Sequence, residues 1–249
     1  MPRVRLMIDP PAAGPWNMAV DEALLRATPQ TGMTTLRFYQ WAEPTLSLGY
    51  FQHHADRSRH VPSLDAPWLR RASGGGAILH DHELTYSLTV PVRDTRASNV
   101  ADYFDHFHQS LIQTLRGWGI QAALNGDASL EGLGSPPFLC FLRRSPVDVI
   151  LNSAKICGSA QRRHTGAMLQ HGSVLLSRSP HAPELAGIND LVQLTDPLSV
   201  EDLRTAWLEE LSRLCQFSYD KGVLATEEAE ASRRLATDRF RANSWNERR

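Results

Sequence analysis

From residue 84 to residue 90 every second side chain is large and apolar (Leu84, Tyr86, Leu88, Val90). A period of two commits the segment to a strand with one face in a core. Strand patterns also occur at residues 4–8, which end at Pro10-Pro11, and at 35–39, 45–50 and 77–80. They resume at 147–151, 156–160 and 168–176. Helical spacing intervenes at 17–26, with Asn17 placed to cap its start, and at 101–118. In the latter, Tyr103, Phe104, Phe107, Leu111, Ile112 and Leu115 share a face, and Gly117 and Gly119 mark the end. A third helix is expected over 200–217. Strands and helices are interspersed without strict alternation, which predicts an α+β fold of mixed β-sheets with flanking helices.

Length and charge narrow the classes of function. The chain has 249 residues, 42% of them hydrophobic, enough to bury a core as one catalytic domain spanning 1–249. Its residues from about 227 to 249 are highly charged and read as a solvated helix or a frayed tail. A net charge of -1 gives no case for binding nucleic acid, although Arg70-Arg71, Arg143-Arg144 and Arg162-Arg163 concentrate positive charge locally. Cys140, Cys157 and Cys215 are three thiols without paired metal spacing, and the histidines lack ligand spacing, so no metal site is expected. Residues 1–11 lack a signal-type apolar stretch, and no window approaches the ~18 apolar residues of a membrane span. The expectation is a soluble, cytoplasmic protein.

Three segments carry chemistry. In Arg70-Arg71-Ala72-Ser73-Gly74-Gly75-Gly76, three residues without Cβ let backbone approach a ligand, and the arginines suit a carboxylate or phosphate. A flexible hairpin turn is the competing reading; a P-loop is excluded because no Gly-Lys-Ser/Thr follows. Lys155, one of only two lysines, sits in Ala154-Lys155-Ile156-Cys157-Gly158-Ser159-Ala160-Gln161. It either faces a cleft, polarising a carbonyl, or lies on the surface of a strand. Cys140 stands beside Arg143-Arg144 in a Gly-, Pro- and Ser-rich loop over 126–146. It is either an activated nucleophile or a small buried residue among Phe138, Leu139, Phe141 and Leu142.

These segments resemble the lipoate-protein ligase and octanoyltransferase family. The resemblance rests on Arg70-Arg71-x-Ser73-Gly74-Gly75-Gly76-x3-His80-Asp81 together with Gly14-Pro15-Trp16-Asn17-Met18-Ala19-x-Asp21-Glu22. It continues through Leu36-Arg37-Phe38-Tyr39, Pro44 to Gly49, Lys155-Ile156-x-Gly158-Ser159-Ala160-Gln161 and Leu169-Gln170-His171-Gly172-Ser173. Cys140-Phe141 falls where the cysteine-dependent, LipM-type octanoyltransferases carry their catalytic cysteine.

The resemblance implies a biotin/lipoate protein ligase-like catalytic domain that moves octanoyl from acyl carrier protein onto a lysine. The acceptor would be a lipoyl domain or a glycine-cleavage H protein, with no cofactor required. It implies Cys140 as nucleophile and Lys155 at the acyl carbonyl. Arg70, Arg71, Ser73, Gly74, Gly75, Gly76, His80, Gly158, Ser159, Ala160, His171 and Gly172 would form the substrate site. His80, Asp81 and His171 either help deprotonate the amine or are structural. The Ser73-Gly74-Gly75-Gly76 form is common in ATP-dependent ligases, so a lipoate ligase using ATP and Mg is one alternative, and an amidotransferase using the same cysteine is another.

Overall fold

The computed structural model describes residues 3–92, 99–126 and 136–249. In chain order its elements are β1 (Arg3–Ile8), α1 (Gly14–Thr31), β2 (Thr34–Tyr39), β3 (Thr45–Leu48), β4 (Trp68–Arg70), β5 (Ile78–His80) and β6 (Glu83–Pro91). There follow α2 (Asn99–Gly117), β7 (Ala123–Leu124), β8 (Val149–Leu151), β9 (Ala154–His164), β10 (Ala167–Leu175) and α3 (Ile188–Leu191). The chain then forms α4 (Val200–Cys215), β11 (Ser218–Lys221), α5 (Thr226–Leu235) and α6 (Asn243–Asn246).

Among the described residues an eight-stranded sheet runs β11-β1-β2-β6-β10-β9-β8-β7, and a three-stranded sheet runs β4-β3-β5. β1 is parallel to both its neighbours, while β2, β6, β10, β9 and β8 pair antiparallel in succession. This is the mixed α+β architecture expected. Leu84, Tyr86, Leu88 and Val90 of β6 join Phe107, Leu111 and Leu115 of α2 and Trp207 of α4 in the main core. The alternating residues Thr85, Ser87 and Thr89 are equally buried, because the opposite face of β6 is covered by α1. There Ser87 donates to Asp21 at 2.7 Å, so polar sequence here means a buried hydrogen-bond layer, not a wet face.

Several expectations are corrected. Asn17 does not cap α1, which begins at Gly14 with Pro15 in its first turn, where a missing N–H costs nothing. Asn17 is instead buried, donating to the Ala12 and Gln40 carbonyls and accepting from Arg37. α1 also extends past Arg26 and stops at Gly32, whose φ is +63°. The strand expected at 45–50 ends at Leu48, and β4, β7 and β11 were not anticipated. Of the loop expected over 126–146, residues 127–135 lie outside the described residues.

The charged tail is helical and engaged. α5 packs on α1, and Arg239 reaches Glu22 at 3.0 Å, beside Arg26 and Arg162. Burial raises the Glu22 carboxyl, but Arg162, Arg239 and Arg26 outweigh it and hold the group below the ordinary carboxylate range.

Candidate active site

The two sheets and α1 enclose a cavity of about 320 Å³, within the roughly 300–1,000 Å³ usual for small-molecule sites. Its floor is β9 and β10, where Ala160 pairs with His171 and Ser159 with Gly172. Met18, Tyr39, Ile78 and Phe141 supply apolar wall, and the glycine loop closes one side.

That loop is held by Arg71. Its guanidinium donates to the Ser47, Gly74 and Gly76 carbonyls at 2.9, 2.6 and 2.7 Å. Burial, reinforced by nearby Arg143 and opposed by Cys140, lowers its pKa to about 10. The turn places Gly75 at φ +93°, a region L side chains avoid. Ala77 then pairs with the segment ahead of Cys140: Ala77 N–H donates to Phe138 O at 2.9 Å, and Cys140 N–H to Ala77 O at 2.7 Å. Phe138, Leu139 and Phe141 are buried in the core of the small sheet. Cys140, opening a single 3₁₀ turn, is left partly exposed and facing the cavity. Cys157 is buried on β9, where burial pushes its thiol far up.

Lys155, on β9 opposite Ile150 of β8, lines the same cavity as Cys140. Its ammonium meets Asp148 Oδ2 at 2.9 Å and stands 5.5 Å from the centre of the Phe141 ring. The absence of Cβ at Gly158 makes room for it: a Cβ there would lie 2.5 Å from Lys155 Cε.

Two histidines also line the cavity, each held by hydrogen-bonding partners. His171 Nε2 meets the Ser73 hydroxyl at 2.5 Å, while its Nδ1 is 3.8 Å from Asp21 Oδ2. Burial alone would raise Asp21, but His171, Arg37 and Ser87 together hold it below the ordinary range. His80 bridges Ser47 and Glu83 at 2.8 and 2.7 Å and stacks 3.9 Å from Trp41. Burial keeps it neutral against the pull of Glu83.

The structure thus gathers Cys140, Lys155, Arg71, Gly74, Gly75, His80, Gly158, Ser159, Ala160, His171 and Gly172 on one cavity. Ser73 lies just behind His171, and Gly76 against the Cys140 backbone and Arg143. Arg70, expected to bind substrate, points away from it. Its guanidinium donates to the Gly49, Tyr50, Gln52 and Asn246 carbonyls and thereby fastens the C-terminal segment to the loop after β3. Tyr39, Ile78 and Phe141 also line the cavity, and Tyr39 and Phe141 stand inside the motifs that carry the family resemblance. Among the described residues no group of three or more His, Cys, Asp or Glu could hold a metal ion. No described helix is long and apolar enough to cross a membrane.

Comparison with known proteins places the chain in a family and a fold. Residues 14–212 match the lipoyl protein ligase A/B catalytic domain family. The octanoyltransferase LipM of Kyrpidia tusciae is 31% identical, over 98% of both chains. A lipoate-protein ligase A solved with ATP superimposes with a TM-score of 0.79 at 22% identity, covering 98% of each chain. The bipartite lipoate protein ligase of Thermoplasma acidophilum, described with its E2 lipoyl domain, gives 0.77 at 20%, covering 99% of this chain and 97% of that one. The chain belongs to the lipoyl protein ligase A/B catalytic domain family and is an acyltransferase.

Proposed function

We propose that the protein is an octanoyltransferase of lipoate biosynthesis. It takes octanoyl from the thioester of acyl carrier protein and delivers it to a lysine of a lipoyl domain or glycine-cleavage H protein. The observation that carries this reading is that Cys140 and Lys155 line one largely apolar cavity. A thiolate at Cys140 attacks the carrier thioester; its C–S bond breaks, the acyl group passes to Sγ, and the departing carrier sulfur takes up the proton that Sγ gave up. The Lys155 ammonium, fixed by Asp148, stabilises the oxyanion as it develops. Apolar wall around the acyl chain contributes about 0.8 kcal/mol for each methylene it buries. Thioester to amide is downhill, so no ATP is required, and holding the reacting groups in place lowers the barrier.

Among the described residues the two lysine and arginine cations on the cavity wall are engaged: Arg71 holds the Ser47 carbonyl of β3 and two loop carbonyls, and Lys155 is paired with Asp148. Neither stands ready to receive a triphosphate, which favours the ATP-independent reading over ligation. The testing experiment mixes the protein with octanoyl-acyl carrier protein, without ATP, and records intact mass beside Cys140→Ala. An octanoyl adduct on the wild type alone, discharged onto a lipoyl domain, is expected. Transfer only from free acid with ATP would overturn the reading in favour of a ligase.

A further inference from the structure

The reaction needs an amine, yet a lysine arrives as an ammonium with an ordinary pKa of about 10.4. A base must therefore face the cavity. Among the described residues, a polar chain through α2, β6 and β9 ends there with its direction set by its partners. His108, on α2, is fully buried. Its Nδ1 meets the Val147 carbonyl, which can only accept, so in the neutral ring Nδ1 carries the proton and Nε2 is the acceptor. Nε2 lies 2.6 Å from Ser159 Oγ, so that hydroxyl donates to it. Tyr86 OH, 2.6 Å from the same oxygen, then donates to Ser159, and it accepts in turn from Gln170 Nε2 at 3.0 Å.

A hydroxyl oxygen has two acceptor sites. Tyr86 fills one at Ser159, and Ser159 lines the cavity that holds Cys140 and Lys155. With its own proton committed inward, Ser159 can only accept from a group in the cavity. Such an arrangement suits an N–H donor and does not suit a carbonyl oxygen.

We propose that Ser159 receives the incoming lysine ε-ammonium and relays its proton to His108, an inference that rests on the octanoyltransferase reading. The ammonium gives one proton to Ser159 Oγ as the Ser159 proton passes to His108 Nε2, leaving a neutral amine and an imidazolium. The amine nitrogen then bonds to the octanoyl carbonyl carbon. The C–Sγ bond breaks with its electron pair on sulfur, and the second nitrogen proton returns to Sγ. As product leaves, the His108 proton returns through Ser159 to water in the emptied cavity.

The surroundings of His108 suit a base that is empty at rest. Burial holds it below the ordinary histidine value, with Lys155 adding to this, while the Val147 carbonyl, Asp148 and Asp105 on its own helix oppose it. The Phe104 ring stands edge-on at 6.1 Å. Ser159 acts on substrate directly; His108 acts through it.

The test separates the half-reactions. Wild type, Ser159→Ala and His108→Gln are loaded with octanoyl-acyl carrier protein, and the discharge of the adduct is timed by intact mass between pH 6 and 10. The acceptors are a lipoyl domain and hydroxylamine, which is already neutral. Discharge to the lipoyl domain at pH 7 is expected to fall on the order of 100-fold more than acylation does, the scale of a positioned base. The deficit should shrink towards pH 10 and be small with hydroxylamine. A general structural role predicts instead equal losses for both acceptors at every pH, and that result would overturn the relay. So would variants that discharge at the wild-type rate. An absent adduct on the wild type would overturn the thioester reading and the relay with it.

Discussion

Asp148 Oδ2 lies 2.9 Å from the Lys155 ammonium, and each side chain is only 5% exposed. Two charges out of water in this way are stable as a pair and costly apart. Asp148 is itself fixed, because its Oδ2 accepts from the Ser145 N–H at 2.7 Å. Asp148→Asn should therefore lower the unfolding free energy by about 3 kcal/mol in urea titrations. Asp148→Asn with Lys155→Gln should recover part of that stability and none of the transfer activity. Full stability in the single variant would mean that the pair anchors nothing.

Gly158 separates positioning from folding at the same place. A methyl there would stand 2.5 Å from Lys155 Cε and 2.8 Å from Nζ, the movable end of a long side chain. Gly158→Ala should displace the ammonium and leave the strand intact. A misplacement of about 1 Å costs on the order of 100-fold in rate. Circular dichroism should remain close to wild type and the melting temperature should fall less than in Asp148→Asn, while kcat falls.

Arg70 and Arg71 are neighbours with different tasks. Arg70 is fully buried behind the site and holds the C-terminal segment through Asn246, whose side chain also accepts the Arg70 N–H. A lysine cannot reproduce the fork of donors. Arg70→Lys should cost about 3 kcal/mol through lost charged hydrogen bonds, with KM for the acyl donor changed less than twofold in the fraction that folds. A large rise in KM at unchanged stability would return Arg70 to the substrate site.

How much of this was legible beforehand depended on the distance over which each signal acts. The strand at 84–90 was plain, since its period is local, but the burial of Thr85, Ser87 and Thr89 depends on α1, more than 50 residues earlier in the chain. Around Cys140, neighbouring phenylalanines and leucines suggested a buried thiol; only the pairing of Ala77 with Leu139 shows that the chain turns it towards the cavity. Arg70 sits in the same dipeptide as Arg71, and nothing local says that one faces the loop and the other the tail. His108 offered no signal at all. It follows Phe107 on α2, and its partner Ser159 is 51 residues away on β9.

The buried histidines, carboxylates and tyrosines set the pH range of the fold. His80 and His108 have folded pKa values below the ordinary 6.5, so between those values the unfolded chain binds protons that the native chain does not. Stability then rises with pH across that window and is lost as pH falls below 6.5. Asp21 and Glu22, lowered from 3.8 and 4.5, act in the same direction further down: the stability they add is present above those values and lost as pH falls through their folded pKa values. At the other end, burial raises Tyr39 and Tyr86 above the ordinary 10.0, so stability should fall again once an unfolded tyrosine would ionise. Burial raises the Cys157 and Cys215 thiols above the ordinary 9.0, which starts that decline earlier, so urea titrations from pH 3 to 11 should give a plateau between roughly 6.5 and 9. His108→Gln should flatten the first part of the acid limb, below 6.5, and leave the steeper carboxylate part in place. If its acid limb matched the wild type throughout, His108 would not be held neutral in the fold, and it could not serve as the resting proton acceptor behind Ser159.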